Sequence, residues 1–152
     1  MMKKHGALLV TIFSLISASL LAQQTEVIDE ILLEDTAAFG KAIYLVLAAA
    51  GLVPDDVPIQ EALRYLAGAG WGVRIKEADE PLKSGELCYV VMKAFGISGG
   101  LFYSIFPGPR YAARELKYLG FFTGNYAVGR SLSGEEVLRI LGKALAWKEE
   151  QS

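Results

Sequence analysis

Cysteine and histidine are the scarcest reactive residues in this 152-residue sequence, which contains one of each. Cys88 has no partner for an intrachain disulfide, and a zinc site needs a cluster of Cys or His. His5 lies in an amino-terminal segment that we expect to be removed on export, so the remaining chain has no His. A Ser-His-Asp or Cys-His arrangement therefore cannot be assembled. The sequence predicts no catalytic residue, metal or cofactor, and hence a protein that is not an enzyme.

Carboxylates are the remaining groups that could support catalysis. Adjacent acids, such as Asp55-Asp56 and Glu135-Glu136, do not face each other if they lie on a helix. A glycoside hydrolase needs two carboxyl groups that flank the bond to be cleaved. Acids from distant segments could still converge in this way, so a carboxylate-dependent glycan hydrolase is a less favoured alternative.

Residues 1–22 have the organisation of a secretory signal peptide. A short basic start with Lys3 and Lys4 precedes an apolar run over residues 7–21. That run is shorter than the ~20 residues of a membrane-spanning helix. We therefore predict export to the bacterial periplasm, cell envelope or exterior, with cleavage after Ala22 and no stable membrane span afterwards. Cleavage after Ser19 and an uncleaved membrane anchor are the alternatives.

Basic residues are in deficit once this signal peptide is removed. Loss of Lys3 and Lys4 leaves 13 of the 15 basic residues against 17 acidic ones, a net charge near −4. Nucleic acids and anionic membrane surfaces both attract a basic face. The composition therefore disfavours both of them as general partners.

Helical periodicity and helix-ending residues recur along the rest of the chain. Apolar spacing within residues 27–34 indicates a helix in a polar leader, residues 23–35. After the leader we predict a domain over residues 36–148 and a solvated tail over 149–152. Its predicted helices are Thr36–Ala50, Ile59–Ala67, Leu87–Phe95, Arg110–Leu119 and Glu135–Trp147. The predicted fold class is all-α.

A short phrase appears twice, as LKSGE at residues 82–86 and as LSGEE at residues 132–136. Each runs into an amphipathic helix, and we expect Ser84 and Ser133 to cap these helices together with a following Glu. Neighbouring segments also correspond: residues 44–52 match 89–97, 86–95 match 136–145, and 62–72 match 113–124. Repeats of this length bury their faces against each other. The sequence therefore predicts a compact helical domain of helix-loop-helix repeats, preceded by the signal-peptide helix.

This arrangement resembles S-layer homology domains over residues 36–146. Residues 111–124 fit the middle element of that family, and residues 80–86 and 131–135 fit the phrase that opens its next helix. The resemblance implies noncovalent attachment to cell-wall polymers. It also implies that an Arg of the opening phrase is an important ligand contact.

The sequence departs from the family at that Arg. Gly85 and Gly134 stand where it is expected, and Lys83 and Arg130 lie nearby but out of register. The repeated phrase is also explained as a helix-start signal that binds no ligand. The scaffold could therefore be kept while the family's binding of anionic sugars is lost.

Glycine and aromatic residues are concentrated between residues 96 and 111, the least regular part of the predicted domain. Tyr103 and Tyr111 from this stretch, together with Trp71, would either seal the ends of the core or form a groove. Such a groove would stack on sugar rings or receive a segment of a partner. For Phe121 and Phe122 we favour the sealing role.

These observations favour an exported, non-catalytic cell-envelope module that is structural or binds a cell-wall polymer noncovalently. The alternative is a periplasmic or extracellular protein–protein interaction module, including a homo-oligomeric one, whose partner is an envelope protein. The candidate ligand-binding residues are Trp71, Lys83, Ser84, Glu86, Tyr103, Tyr111, Arg130, Ser133 and Glu135.

Overall fold

The computed structural model describes residues 23–125 and 127–152, so the predicted signal peptide lies outside the described residues. The described residues contain seven helices and no strand, which confirms the all-α prediction. The helices are α1 (23–32), α2 (Phe39–Ala49), α3 (Ile59–Gly68), α4 (Ser84–Phe95), α5 (Leu101–Ile105), α6 (Pro109–Tyr118) and α7 (Gly134–Glu150).

Helix α2 lies at the centre of the core. Nine of its eleven residues are buried, including Phe39, Tyr44 and Leu47, and α3, α4 and α7 pack around it. Burial of one large apolar side chain contributes about 1.5–3 kcal/mol, which accounts for the Leu- and Ala-rich composition of this segment. Among the described residues, no helix is both long and apolar enough to span a membrane.

Helix α4 is the second central helix and contacts α2, α6 and α7. It buries Leu87, Val90 and Val91 on the faces that these neighbours cover. The helices around this central pair are amphipathic. In α6, for example, Ala113 and Leu116 are buried whereas the opposite side faces solvent.

The first residues of α2, α4 and α7 meet in one region of the core. Three segments, residues 37–40, 80–85 and 130–134, run beside each other there, and we call them the start junction. Two isolated antiparallel bridges connect the segments. The first N–H groups of a helix have no partner within the helix. Main-chain pairing between the segments supplies partners for several of them.

Main-chain hydrogen bonds pass from one segment of the start junction to the next. The N–H of Leu82 donates to the carbonyl of Ala37 (2.9 Å), and the N–H of Ala37 donates to the carbonyl of Leu132 (2.7 Å). All three residues are buried. Because these bonds lie away from water, losing one would leave a buried polar group without a partner, at a cost of about 1–3 kcal/mol.

Helix α2 begins later than predicted because of these main-chain bonds. The sequence predicts that the helix begins at Thr36. In the structure Ala38 is the N-cap residue in an extended conformation, and its N–H donates to Oε2 of Glu34 (2.8 Å). The start junction holds residue 38 in an extended bridge, so the helix begins at Phe39 and the predicted start is wrong.

Gly134 is the closest approach of α7 to the end of α1. Its N–H donates to the carbonyl of Glu34 (2.9 Å). A Cβ atom at position 134 would lie only 1.6 Å from the carbonyl oxygen of Ile31. Only a residue without a side chain fits there. By contrast, a Cβ atom at Gly142 in the same helix would meet nothing within 4 Å.

We expect Gly134→Ala to destabilise the fold by ~3 kcal/mol, because overpacking against main chain forces a backbone shift. Gly142→Ala is the matched control, and we expect it to stabilise the fold by about 0.5–1 kcal/mol through the better helix propensity of Ala. Urea unfolding of both variants measures the difference. Equal midpoints for the two variants would contradict the close packing of α7 on α1.

Candidate binding site

The repeated phrase forms two helix starts. Lys83 is the N-cap residue of α4, and its N–H donates to Oε2 of Glu86 (2.8 Å). Ser133 is the N-cap residue of α7, and its N–H donates to Oε2 of Glu136 (2.8 Å). Glu86 therefore corresponds to Glu136, which is the register of the predicted match between residues 86–95 and 136–145.

The prediction that Ser133 caps its helix is confirmed, whereas the same prediction for Ser84 is wrong. The hydroxyl of Ser133 accepts a hydrogen bond from the N–H of Glu136 (3.2 Å). Ser84 is instead the first residue of α4 and is buried. Its N–H donates to the carbonyl of Arg130 (2.8 Å). Because the start junction provides this acceptor, α4 needs no side-chain cap at its first turn.

Gly85 and Gly134 consequently occupy different positions in their helices. Gly85 is the second residue of α4, and Gly134 is the first residue of α7. A Cβ atom at Gly85 would lie 2.9 Å from the Cβ atoms of Pro109 and Val128. Both glycines are therefore required by close packing.

A groove opens between the start of α4, the turn after α6 and the first half of α7. Its volume is about 180 Å³. We call it the α4–α7 groove. Its lining residues are Ser84, Gly120, Phe121, Phe122, Thr123, Arg130, Leu132, Glu136, Arg139, Ile140 and Lys143.

The charges that line the α4–α7 groove are mainly positive. Three cations, Arg130, Arg139 and Lys143, face one carboxylate, Glu136. Nη1 of Arg130 pairs with Oε1 of Glu136 at 2.8 Å, and Arg139 pairs with Glu135 at the exposed surface. With both paired carboxylates counted, the cations of the groove still exceed the carboxylates by one, Lys143, which favours an anionic ligand.

Arg130 also presents a hydrogen-bond donor without a protein partner. Its side chain is about one-third exposed, at 32%, but Nε is buried and has no hydrogen-bond partner among the described residues. A buried donor without a partner costs about 1–3 kcal/mol. A carboxylate or phosphate oxygen could accept from this guanidinium in a charge-assisted bond.

The pKa of Glu136 reflects its position between these groups. Burial alone would raise this pKa. Hydrogen bonds from Ser133 and Arg130, together with the positive charge of Arg130, outweigh burial and lower the pKa from its ordinary value. Glu136 is therefore ionised at neutral pH and keeps both its cap and its ion pair.

The other predicted polar residues do not line the groove. Nζ of Lys83 donates to Oγ of Ser131 (2.9 Å). Glu86 forms an ion pair with Lys76 (2.9 Å) on the other side of α4 from the groove lining. Of the predicted set, Ser84 and Arg130 line the groove, and the structure does not bring Glu86 to it.

The three predicted aromatic residues do not line the groove either. Tyr103 is buried, with its ring edge-on to Tyr89 and a centroid distance of 6.3 Å. Trp71 is half-buried, and its carbonyl accepts from the hydroxyl of Tyr89 (2.7 Å). Tyr111 stacks on Phe102 with a centroid distance of 5.9 Å. The Trp71 ring packs edge-on against Tyr65, so each of the three rings has different aromatic neighbours.

Sequence reasoning missed three charged groove residues, Glu136, Arg139 and Lys143. Arg139 and Lys143 lie three and seven positions after Glu136, so all three share one face of α7. This spacing was visible in the predicted helix. Phe121 is buried, as expected for a sealing residue, and it also forms part of the groove floor together with Phe122.

In the described part of the chain, no group of three or more His, Cys, Asp or Glu side chains is arranged to hold a metal ion.

Comparison of the chain with protein-family models, with curated proteins and with solved structures finds no match.

We expect Glu136→Gln to reduce the free energy of unfolding by ~1 kcal/mol at pH 7, because the variant weakens the cap and the ion pair. A lowered pKa stabilises the folded state above the unfolded pKa of about 4.3, and this contribution is lost as pH falls through the folded pKa. The difference from the wild type should therefore shrink between pH 5 and pH 3.

Glu135→Gln is the matched control for this prediction. Glu135 is 68% exposed and pairs with Arg139 in solvent, so its replacement should change stability little. Urea unfolding at a series of pH values measures both variants. A deficit of Glu136→Gln that stays constant from pH 7 to pH 3 would contradict the assigned role.

Proposed function

We propose that this chain is an exported, non-catalytic module of the bacterial cell envelope that binds an anionic cell-wall polymer noncovalently in the α4–α7 groove. The positively charged groove lining, with the partly exposed side chain of Arg130, carries this proposal. Wall polymers that carry carboxylate or phosphate groups would accept hydrogen bonds from these side chains.

The proposal includes a divergent S-layer homology-like repeat as the scaffold. The starts of α2, α4 and α7 support this, since each N-cap N–H donates to a carboxylate that also pairs with a cation. The three sets are Ala38 with Glu34 and Lys41, Lys83 with Glu86 and Lys76, and Ser133 with Glu136 and Arg130. In the second and third sets the carboxylate lies three residues after the N-cap residue, whereas Glu34 lies four residues before Ala38. The two helix starts that are built in the same way, those of α4 and α7, fit descent from a repeated unit.

The position of Arg130 bears on the departure from the family. The opening phrases lack an Arg, but Arg130 reaches the groove from the segment just before the second phrase. Arg139 and Lys143 reach it from the helix that follows. In this proposal these three cations together supply the anion-binding role that the resembling family gives to its opening-phrase Arg.

The ion pairs of the nearby carboxylates favour a binding role over hydrolysis. Glu136 lines the groove and Glu135 pairs with the lining residue Arg139, so both acids are engaged in ion pairs with arginines. A general acid needs a raised pKa, whereas the pKa of Glu136 is lowered. The only His, His5, precedes the predicted cleavage site.

Sedimentation with isolated cell-wall sacculi tests the proposal. We expect the purified exported protein to sediment with sacculi, and Arg139→Gln/Lys143→Gln to lower the affinity by about tenfold or more, since each lost hydrogen bond to a charged group costs about 1.5–3 kcal/mol. Raising the salt concentration should weaken wild-type binding.

Arg64→Gln/Arg74→Gln is the control, because it removes the same charge from exposed positions outside the groove. It should sediment like the wild type. Wild-type protein that stays in the supernatant at low salt would refute wall binding. Equal losses in both double variants would refute the groove as the site.

A further inference from the structure

Helix α5 exposes an unusually large apolar surface. Four of its apolar side chains, counting the residue directly after it, are more than half exposed: Leu101 (70%), Phe102 (53%), Ile105 (56%) and Phe106 (60%). We call them the α5 patch. Each would contribute about 1.5–3 kcal/mol if it were buried, and contiguous apolar surface of this kind marks an interaction site.

The α5 patch is held in place by α6. Tyr111 stacks on Phe102 with an interplanar angle of 11° and on Phe106 with an angle of 28°, at centroid distances of 5.9 and 6.4 Å. Tyr103 anchors the other side of α5 in the core. The apolar side chains are therefore displayed on a fixed support, so binding would not have to order them.

Two arginines border the patch. Arg110 and Arg114 lie one turn apart on α6 and line a depression of about 240 Å³ together with Phe102 and Tyr111. The guanidinium of Arg114 lies 5.9 Å from the ring centroid of Phe102. Neither arginine forms an ion pair with a carboxylate of the described residues.

Glu115, which lies near the start of α5, forms no ion pair with either arginine in the described part of the chain. Oε1 of Glu115 lies 3.0 Å from the position that a Cβ atom would take at Gly100, at the start of α5. Its side chain is half-buried. An apolar surface with two cations at its edge therefore remains, which is the pattern of segments that lie in a membrane interface.

We propose that the α5 patch docks on an anionic lipid surface. Leu101, Phe102, Ile105 and Phe106 would enter the boundary between head groups and acyl chains, while Arg110 and Arg114 would bind lipid phosphates. Charge complementarity selects anionic over zwitterionic lipid, because both guanidinium groups lack a carboxylate partner in the described chain.

Two other occupants fit the patch less well. A sugar ligand stacks on aromatic rings, but half of the patch is aliphatic, and Phe102 already stacks on Tyr111. A second copy of the chain would bring the same two arginines to the interface if the patch paired with itself, and like charges there repel.

The acidic composition of the chain does not conflict with this proposal. The net charge near −4 of the chain after residue 22 describes the whole molecule, whereas exposed charges act over a Debye length of about 8 Å at physiological ionic strength. The α5 patch shares no residue with the α4–α7 groove. The proposal therefore stands independently of wall binding.

The test places a fluorophore that reports on its surroundings, such as NBD, at the patch in Ile105→Cys. The native Cys88 does not compete for the label, because it is fully buried and burial raises the pKa of its thiol to about 12. Gln60→Cys on α3, an exposed position outside the patch, is labelled in the same way as the control. The exported protein is then mixed with phosphatidylglycerol–phosphatidylcholine vesicles or with vesicles of phosphatidylcholine alone.

We expect the emission at position 105 to rise and shift to shorter wavelength with the anionic vesicles, and the emission at position 60 to stay unchanged. Arg110→Gln/Arg114→Gln in the labelled Ile105→Cys chain should lower the partition coefficient by ~30-fold. Arg64→Gln/Arg74→Gln should leave it within a few-fold of the parent. The comparison of positions 105 and 60 separates docking of the patch from any attachment through residues 1–22.

Three outcomes would overturn the proposal. One is an unchanged emission at position 105 with both kinds of vesicle. Another is an equal change with anionic and zwitterionic vesicles. The third is a change that depends on protein concentration in the absence of vesicles, since this would identify a second copy of the chain as the occupant.

Discussion

The pairing of main chain at the starts of α2, α4 and α7 is the constraint on which the rest of the structure depends. The carbonyl of Ala37 accepts a hydrogen bond from the N–H of Leu82, and the N–H of Ala37 donates to the carbonyl of Leu132. Ala37 therefore links all three segments. These bonds are buried, and their geometry therefore leaves little freedom in where each helix begins. The two central helices then diverge from a common origin, and α3, α6 and α7 cover the apolar faces that remain.

The candidate binding groove is a consequence of the same constraint. The carbonyl of Arg130 accepts from Ser84 in the start junction, and its side chain pairs with Glu136, which also caps α7. One residue thus joins the main-chain pairing to the charge of the groove. Arg130 is thus pre-positioned by the fold, so a ligand would not have to order it on binding. The proposed wall-binding role rests on that arrangement.

Local signals in the sequence predict most of the helices but not the residues at which α2 and α4 begin. Gly96 adopts the left-handed conformation (φ 64°) that ends α4, as a helix-terminating glycine should. Pro109 is the first residue of α6, where its missing N–H has no consequence. The starts of α2 and α4 were misplaced because tertiary main-chain pairing, which no local pattern encodes, provides their caps.

Two features of the surface were unpredictable for a related reason. Helix α5 has only five residues and follows two glycines, so its own propensity is too weak to indicate it. Stacking of Phe102 and Phe106 on Tyr111 supports it from α6. In the groove, the sequence offers two registers, Ser84 with Ser133 or Glu86 with Glu136, and the hydrogen bonds follow the second.

Native-state hydrogen exchange at the start junction is the most direct test of this account. If the junction organises the fold, the N–H groups of Ala37, Leu82 and Ser84 should exchange only by global unfolding. Their exchange free energies would then equal the free energy of unfolding measured with urea. Exchange of these three amides at a lower free energy than the amides in the middle of α3 would contradict the account, because the junction would then open while a peripheral helix remained folded.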